Sequence, residues 1–126
     1  MKTYKTRWFK NWAKDQGVSD QVLLAAILEM EQNSKGAGLG GSLYKKRIAI
    51  DGRGKRGGKR VIIAFIEHKK AFFVYGFSKN EMENIDSTQK QSLKEVSKKL
   101  LSYTDKEIQH ALKENVLFEV NNYEIN

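Results

Sequence analysis

The sequence predicts an α+β domain, a small antiparallel sheet packed against helices in the order β-αα-βββ-αα-β. Three observations carry this. Apolar residues repeat with helical spacing up to about Met30, switch to strict alternation at Leu43, and return to helical spacing after Asp86. The stretches Arg60 to Ile66 and Ala71 to Phe77 are rich in β-branched and aromatic residues, too continuously apolar for edge strands. Finally, 126 residues with no proline and no internal repeat offer no linker, so residues 1–126 read as one domain.

In chain order, a short strand near Thr3 to Arg7 runs into a helix in which Trp8/Trp12 and Phe9/Ala13 are i, i+4 pairs. Their spacing places both tryptophans on one buried helix face. Gly17 is positioned to end that helix, because the residue after a helix often adopts the left-handed conformation that glycine tolerates. Ser19 then caps a second helix with Leu23, Ala26, Ile27 and Met30 on one face and Val18 stapled to Leu23. Lys35 to Ser42 contains four glycines and reads as a loop. From Leu43 the alternation sets Leu43, Lys45, Arg47 and Ala49 on one face and Tyr44, Lys46, Ile48 and Ile50 on the other. Glycine-rich Asp51 to Gly58 joins this strand to Arg60–Ile66, and His68-Lys69-Lys70 leads into Ala71–Phe77, giving a three-stranded meander. Asp86 with Gln89, and Thr104 with Glu107, have capping-box spacing and open two further helices. Val116 to Val120 closes the chain as a short strand.

Composition narrows the chemistry. No cysteine is present, which excludes disulfides, thiol nucleophiles and Cys-bound metal, and with only His68 and His110 a histidine metal centre is not expected. No cofactor is called for. The longest apolar stretches, Val22–Leu28 and Val61–Ile66, are far short of the roughly 20 residues of a membrane helix. The N-terminus mixes basic residues with tryptophans and lacks a signal-like apolar core, so a cytoplasmic protein without membrane attachment is expected.

Charge is the most informative property. The chain carries 23 Lys+Arg against 15 Asp+Glu, net +8, and most of the excess falls in residues 45–60. There Lys45, Lys46, Arg47, Arg53, Lys55, Arg56, Lys59 and Arg60 are opposed only by Asp51. A charge run often marks no more than a solvated face, but its concentration around a glycine-rich hairpin points to a polyanion site. Gly52, Gly54 and Gly57 formally satisfy G-x-G-x-x-G, yet a strand follows them where a dinucleotide site needs a helix. Turn chemistry explains the glycines without explaining the cations among them. His68 and His110 have no signal bringing them together, and Glu81, Glu83 and Asp86 read as the approach to a helix. Tyr44 and Tyr75 lie near the basic strands, where sheet packing is the preferred explanation over base stacking.

A cationic face without an acid–base pair of the usual kind can still cleave RNA. The ribose 2′-hydroxyl lies beside its own phosphate, so a protein needs to align it, stabilise the charge that develops on phosphorus and assist two proton transfers. Arg and Lys supply the electrostatic part, and a lysine crowded by cations can also carry a proton.

Three blocks of sequence resemble a branch of the RelE/HigB toxins of bacterial type II toxin–antitoxin systems. They are Leu39-Gly40-Gly41-Ser42-Leu43-Tyr44-Lys45-Lys46-Arg47, then Gly54-Lys55-Arg56-Gly57-Gly58-Lys59-Arg60, then Tyr75-Gly76-Phe77-Ser78-Lys79-Asn80 with Asn84-Ile85. Phe9-Lys10-Asn11-Trp12-Ala13 and Leu117-Phe118-Glu119-Val120 fit the same branch. The resemblance implies a microbial RNase-like fold, ribosome-dependent cleavage of mRNA and neutralisation by an antitoxin, often of the helix-turn-helix type. It also implies roles. Arg60 would act on the scissile phosphate, Lys45 and Arg47 as phosphate ligands and proton carriers, and Lys79 as a further catalytic cation. Lys46, Arg53, Lys55, Arg56, Lys59 and Asn80 would bind RNA. Better-studied RelE proteins have a tyrosine where this chain has Asn84-Ile85. Two other readings stay open, a ParE-like toxin acting on DNA gyrase and a non-catalytic nucleic-acid-binding module.

Overall fold

The computed structural model describes residues 1–32, 35–50, 54–78 and 86–121, with residues 50 and 54–57 as backbone. The elements are β1 (Lys2–Thr6), α1 (Arg7–Gln16), α2 (Asp20–Glu31), β2 (Ala37–Gly40), β3 (Leu43–Ile50), β4 (Gly54–Ile66), β5 (Lys70–Ser78), α3 (Ser87–Leu101), α4 (Asp105–Lys113) and β6 (Leu117–Glu119). The α+β class and the helix–strand order follow the sequence reading, with one strand added.

Local signals account for the helices. Gly17 ends α1 at φ 69°, its N–H returning to the carbonyls of Ala13 and Lys14. Ser19 and Asp86 cap α2 and α3 by accepting from the N–H groups of Val22 and Gln89. At α4 the box is complete, because Thr104 accepts from Glu107 N–H while the Glu107 carboxylate accepts from Thr104 N–H.

The six strands form one sheet in the order β2-β3-β4-β5-β1-β6. The meander β3-β4-β5 is antiparallel as expected, but β1 lies parallel to β5, so the sheet is mixed and not purely antiparallel. Residues 37–40, expected as loop, form β2, whose Ala37 and Gly38 pair with Lys45 and Tyr44. Glycine lowers strand propensity, but a ready β3 edge supplies hydrogen bonds that outweigh it. Gly36 makes this approach possible. A Cβ there would come within 2.4 Å of the Lys45 carbonyl oxygen, and its φ is +81°. The strand β4 also starts earlier than expected. Gly54 pairs with Ile50, so Gly54, Gly57 and Lys55 belong to a strand and not to a loop, which removes the dinucleotide motif's required geometry.

Helices cover both faces of the sheet. On one, α1 and α2 pack Phe9, Ala13, Leu23, Ile27 and Met30 against Ile48, Val61, Ile63 and Phe73. On the other, Leu93 and Leu100 of α3 and Ile108 and Ala111 of α4 close over Leu43, Ile62, Ala64 and Phe72. Both sets are almost wholly withdrawn from water, and burial at this scale is the main stabilising contribution.

Candidate nucleic-acid interface

Strand alternation sorts the cations. Arg47 pairs with Arg60 and Lys45 with Ile62 across β3 and β4. Directly opposed residues share a face, so Lys45, Arg47 and Arg60 all lie on the side of α3 and α4. They continue the rows Leu43–Lys45–Arg47 and Ala64–Ile62–Arg60, in which the apolar members lie under the helices. Arg47 is exposed, and Lys45 and Arg60 are partly so. The Nη1 of Arg60 is buried and has no hydrogen-bond partner among the described residues. A buried guanidinium nitrogen without an acceptor is costly, and the planar fork of arginine suits paired oxygens of a carboxylate or phosphate.

The opposite face takes Lys46 and Lys59. Lys46, expected to bind RNA, lies on this helix-covered face. It is only 5% exposed and its Nζ lies 2.8 Å from the Glu29 carboxylate of α2. The same alternation that exposes Arg47 turns Lys46 under a helix. Lys59 lies opposite Ser78 and donates to its hydroxyl, away from Arg60. The side chains of Lys55 and Arg56 lie outside the described residues, as do Arg53, Lys79, Asn80 and Asn84-Ile85.

Aromatic residues border the cationic row. Arg60 pairs with Phe77 and Ile62 with Tyr75, whereas Ile63 pairs with Phe73. Val74 is therefore the extra residue of a bulge, which re-aims the residues after it. The rings of Tyr75 and Phe77 are 6.2 Å apart. Gln89, in the first turn of α3, donates from Nε2 to the Tyr75 hydroxyl at 3.1 Å.

Trp8 was expected in the core and is instead 48% exposed. In α1 it is Phe9 and Ala13 that are buried. Trp12 lies over Gly76, where a Cβ would come within 2.5 Å of its ring. One turn earlier Trp8 passes the last β1–β5 pair, Lys5 with Phe73, and stacks on Tyr75 with centroids 4.6 Å apart and planes at 18°. No signal in the sequence pairs residues 8 and 75, because the contact depends on where β1 stops along β5.

The histidines remain apart from this face. His68, at φ 63° in the β4–β5 turn, places Nδ1 3.1 Å from Glu31, and His110 is exposed on α4. No helix among the described residues is long and apolar enough to cross a membrane.

The architecture is thus an α+β fold, a mixed sheet between helices with a row of cations on one face and aromatics beside them. Residues 1–120 match the family described as the RelE toxin of the RelE / RelB toxin-antitoxin system, and the chain belongs to that family.

Proposed function

We propose that this chain is the toxin of a type II toxin–antitoxin pair and acts as a ribosome-dependent mRNA endoribonuclease. The observation that carries the reading is the convergence of Lys45, Arg47 and Arg60 on one sheet face with Arg60 Nη1 lacking a partner among the described residues. Family membership supports it.

In this mechanism Arg60 and Arg47 bind the non-bridging oxygens of the scissile phosphate and stabilise the second negative charge as the 2′-oxygen adds to phosphorus. The P–O5′ bond then breaks, leaving a 2′,3′-cyclic phosphate and a 5′-hydroxyl. The proton lost by the 2′-hydroxyl and the one gained by the leaving 5′-oxygen balance, and Lys45, a member of the same cationic row, is the carrier. No resident cofactor takes part. Lys79 is a further catalytic cation, and Arg53, Lys55, Arg56 and Asn80 extend the grip along the RNA. Lys59, on the other face, contributes long-range field only. The site is cytoplasmic in use, since its substrate is mRNA on the ribosome. A helix-turn-helix antitoxin with acidic side chains is the partner that would cover the exposed cations, and its association rate would fall as salt rises.

The test is induction of wild-type and Arg60→Ala chains followed by primer extension on cellular mRNA, beside a gyrase supercoiling assay. New 5′ ends with wild type, lost on substitution, support the reading. Inhibited supercoiling with intact transcripts would replace it with a gyrase-directed toxin. Intact transcripts with salt-dependent RNA binding would leave a non-catalytic module.

A further inference from the structure

Trp8 is the one aromatic among the large apolar side chains left exposed in the described residues. It is not loosely placed. Its ring stacks on Tyr75 at 4.6 Å and lies nearly parallel to Trp12, at 11° with centroids 6.4 Å apart. Tyr75 is held at its hydroxyl by Gln89, and Trp12 is seated on Gly76. Nearly half of the Trp8 surface still faces solvent, on rings whose orientation is set before any ligand arrives. Such pre-organisation lowers the entropic cost of stacking.

The platform also has a direction. Tyr75 pairs with Ile62, two residues along β4 from Arg60, and the Tyr75 ring neighbours that of Phe77, which faces Arg60. An aromatic surface joined in this way to a phosphate-binding guanidinium matches a single-stranded nucleotide, one part for the base and one for the backbone. We infer that Trp8, on its Tyr75 support, is a nucleobase-stacking subsite that holds an unpaired base of the RNA next to the phosphate on Arg60. The inference rests on the RNA-binding reading of the sheet face. Stacking accepts any base, so the subsite contributes affinity and register without reading sequence.

The experiment compares two probes on the full chain at low salt. One is a single-stranded 2′-O-methyl oligoribonucleotide, which has no free 2′-hydroxyl and cannot be cut. The other is inorganic polyphosphate, which carries the charge without bases. Trp8→Ala should weaken the oligonucleotide about tenfold and leave polyphosphate unchanged, while Trp8→Phe retains most of the affinity. Arg60→Ala should weaken both probes. Circular dichroism of the half-exposed Trp8 variants should match wild type. Equal oligonucleotide affinity for wild type and Trp8→Ala, or an equal loss on both probes, overturns the subsite. If Arg60→Ala also binds both probes like wild type, the RNA reading of the face falls separately.

Discussion

Arg47 and Arg60 face one another directly across the β3–β4 ladder, two like charges in register. Cross-strand pairs of like charge are destabilising by roughly 0.2–1 kcal/mol, and here an Arg60 Nη1 with no partner among the described residues adds to the cost. On the proposed reading, a fold that keeps such a pair sets stability against the ability to bind an anion, as functional sites commonly do.

Replacing one member should therefore raise stability. Arg60→Met is expected to gain about 0.5–1 kcal/mol, seen as an unfolding midpoint a few degrees higher, while cleavage is lost. Polyphosphate should raise the midpoint of wild type and not that of the variant. A less stable Arg60→Met protein would mean that the guanidinium is a structural cation.

Lys46 should behave in the opposite way. Lys46→Ala removes the ion pair with Glu29 and is expected to cost about 1–3 kcal/mol, less than a fully buried pair because Glu29 keeps solvent contact. Denaturant titration measures it through a lower midpoint at constant slope. The salt dependence of RNA binding should be unchanged, whereas Arg47→Ala should shorten the log–log slope by about 0.7.

At Gly76 the constraint is steric. An added methyl would meet the Trp12 ring at 2.5 Å, so Gly76→Ala should push α1 off β5 and cost about 1–3 kcal/mol. The double variant with Trp12→Leu should recover part of the loss, since the two effects share one contact. Additive losses in that cycle would rule out the contact as the cause.

Alkaline pH should expose a linkage at Tyr4. Burial, followed by the nearby carboxylates of Glu119 and Asp105, raises its pKa above the ordinary tyrosine value. The folded state then keeps the phenol protonated where the unfolded chain would ionise. Its contribution is fully present below the unfolded pKa, about 10, and is lost as pH rises through the folded value. Tyr4→Phe should flatten the fall in stability above about pH 10 and change stability little at pH 7. An unaltered alkaline slope would exclude Tyr4 as its source.

Much of this architecture is legible in local sequence. Ser19, Asp86 and Thr104 cap helices through atoms three residues away, and Gly17 terminates one through its own backbone. Strict alternation placed Lys45 and Arg47 on a common face, and the β-rich segments announced the meander. These features depend on neighbours in the chain, so composition and spacing suffice to read them. Tertiary structure decided the rest. The parity of β3 separates Lys46 from Lys45 and Arg47, but only the packing of α2 makes the Lys46 face the closed one. The registration of Arg60 against Arg47 follows from the pairing of two strands whose register shifts between Ile48 and Ile50, which no periodicity specifies. β2 forms because a partner edge was available to glycines that would not extend alone, and Trp8 reaches Tyr75 because β1, laid parallel to β5, stops short of the bulge. Each of these outcomes depends on contacts between segments distant in sequence, where the energy of a residue is set by what the remainder of the chain brings against it.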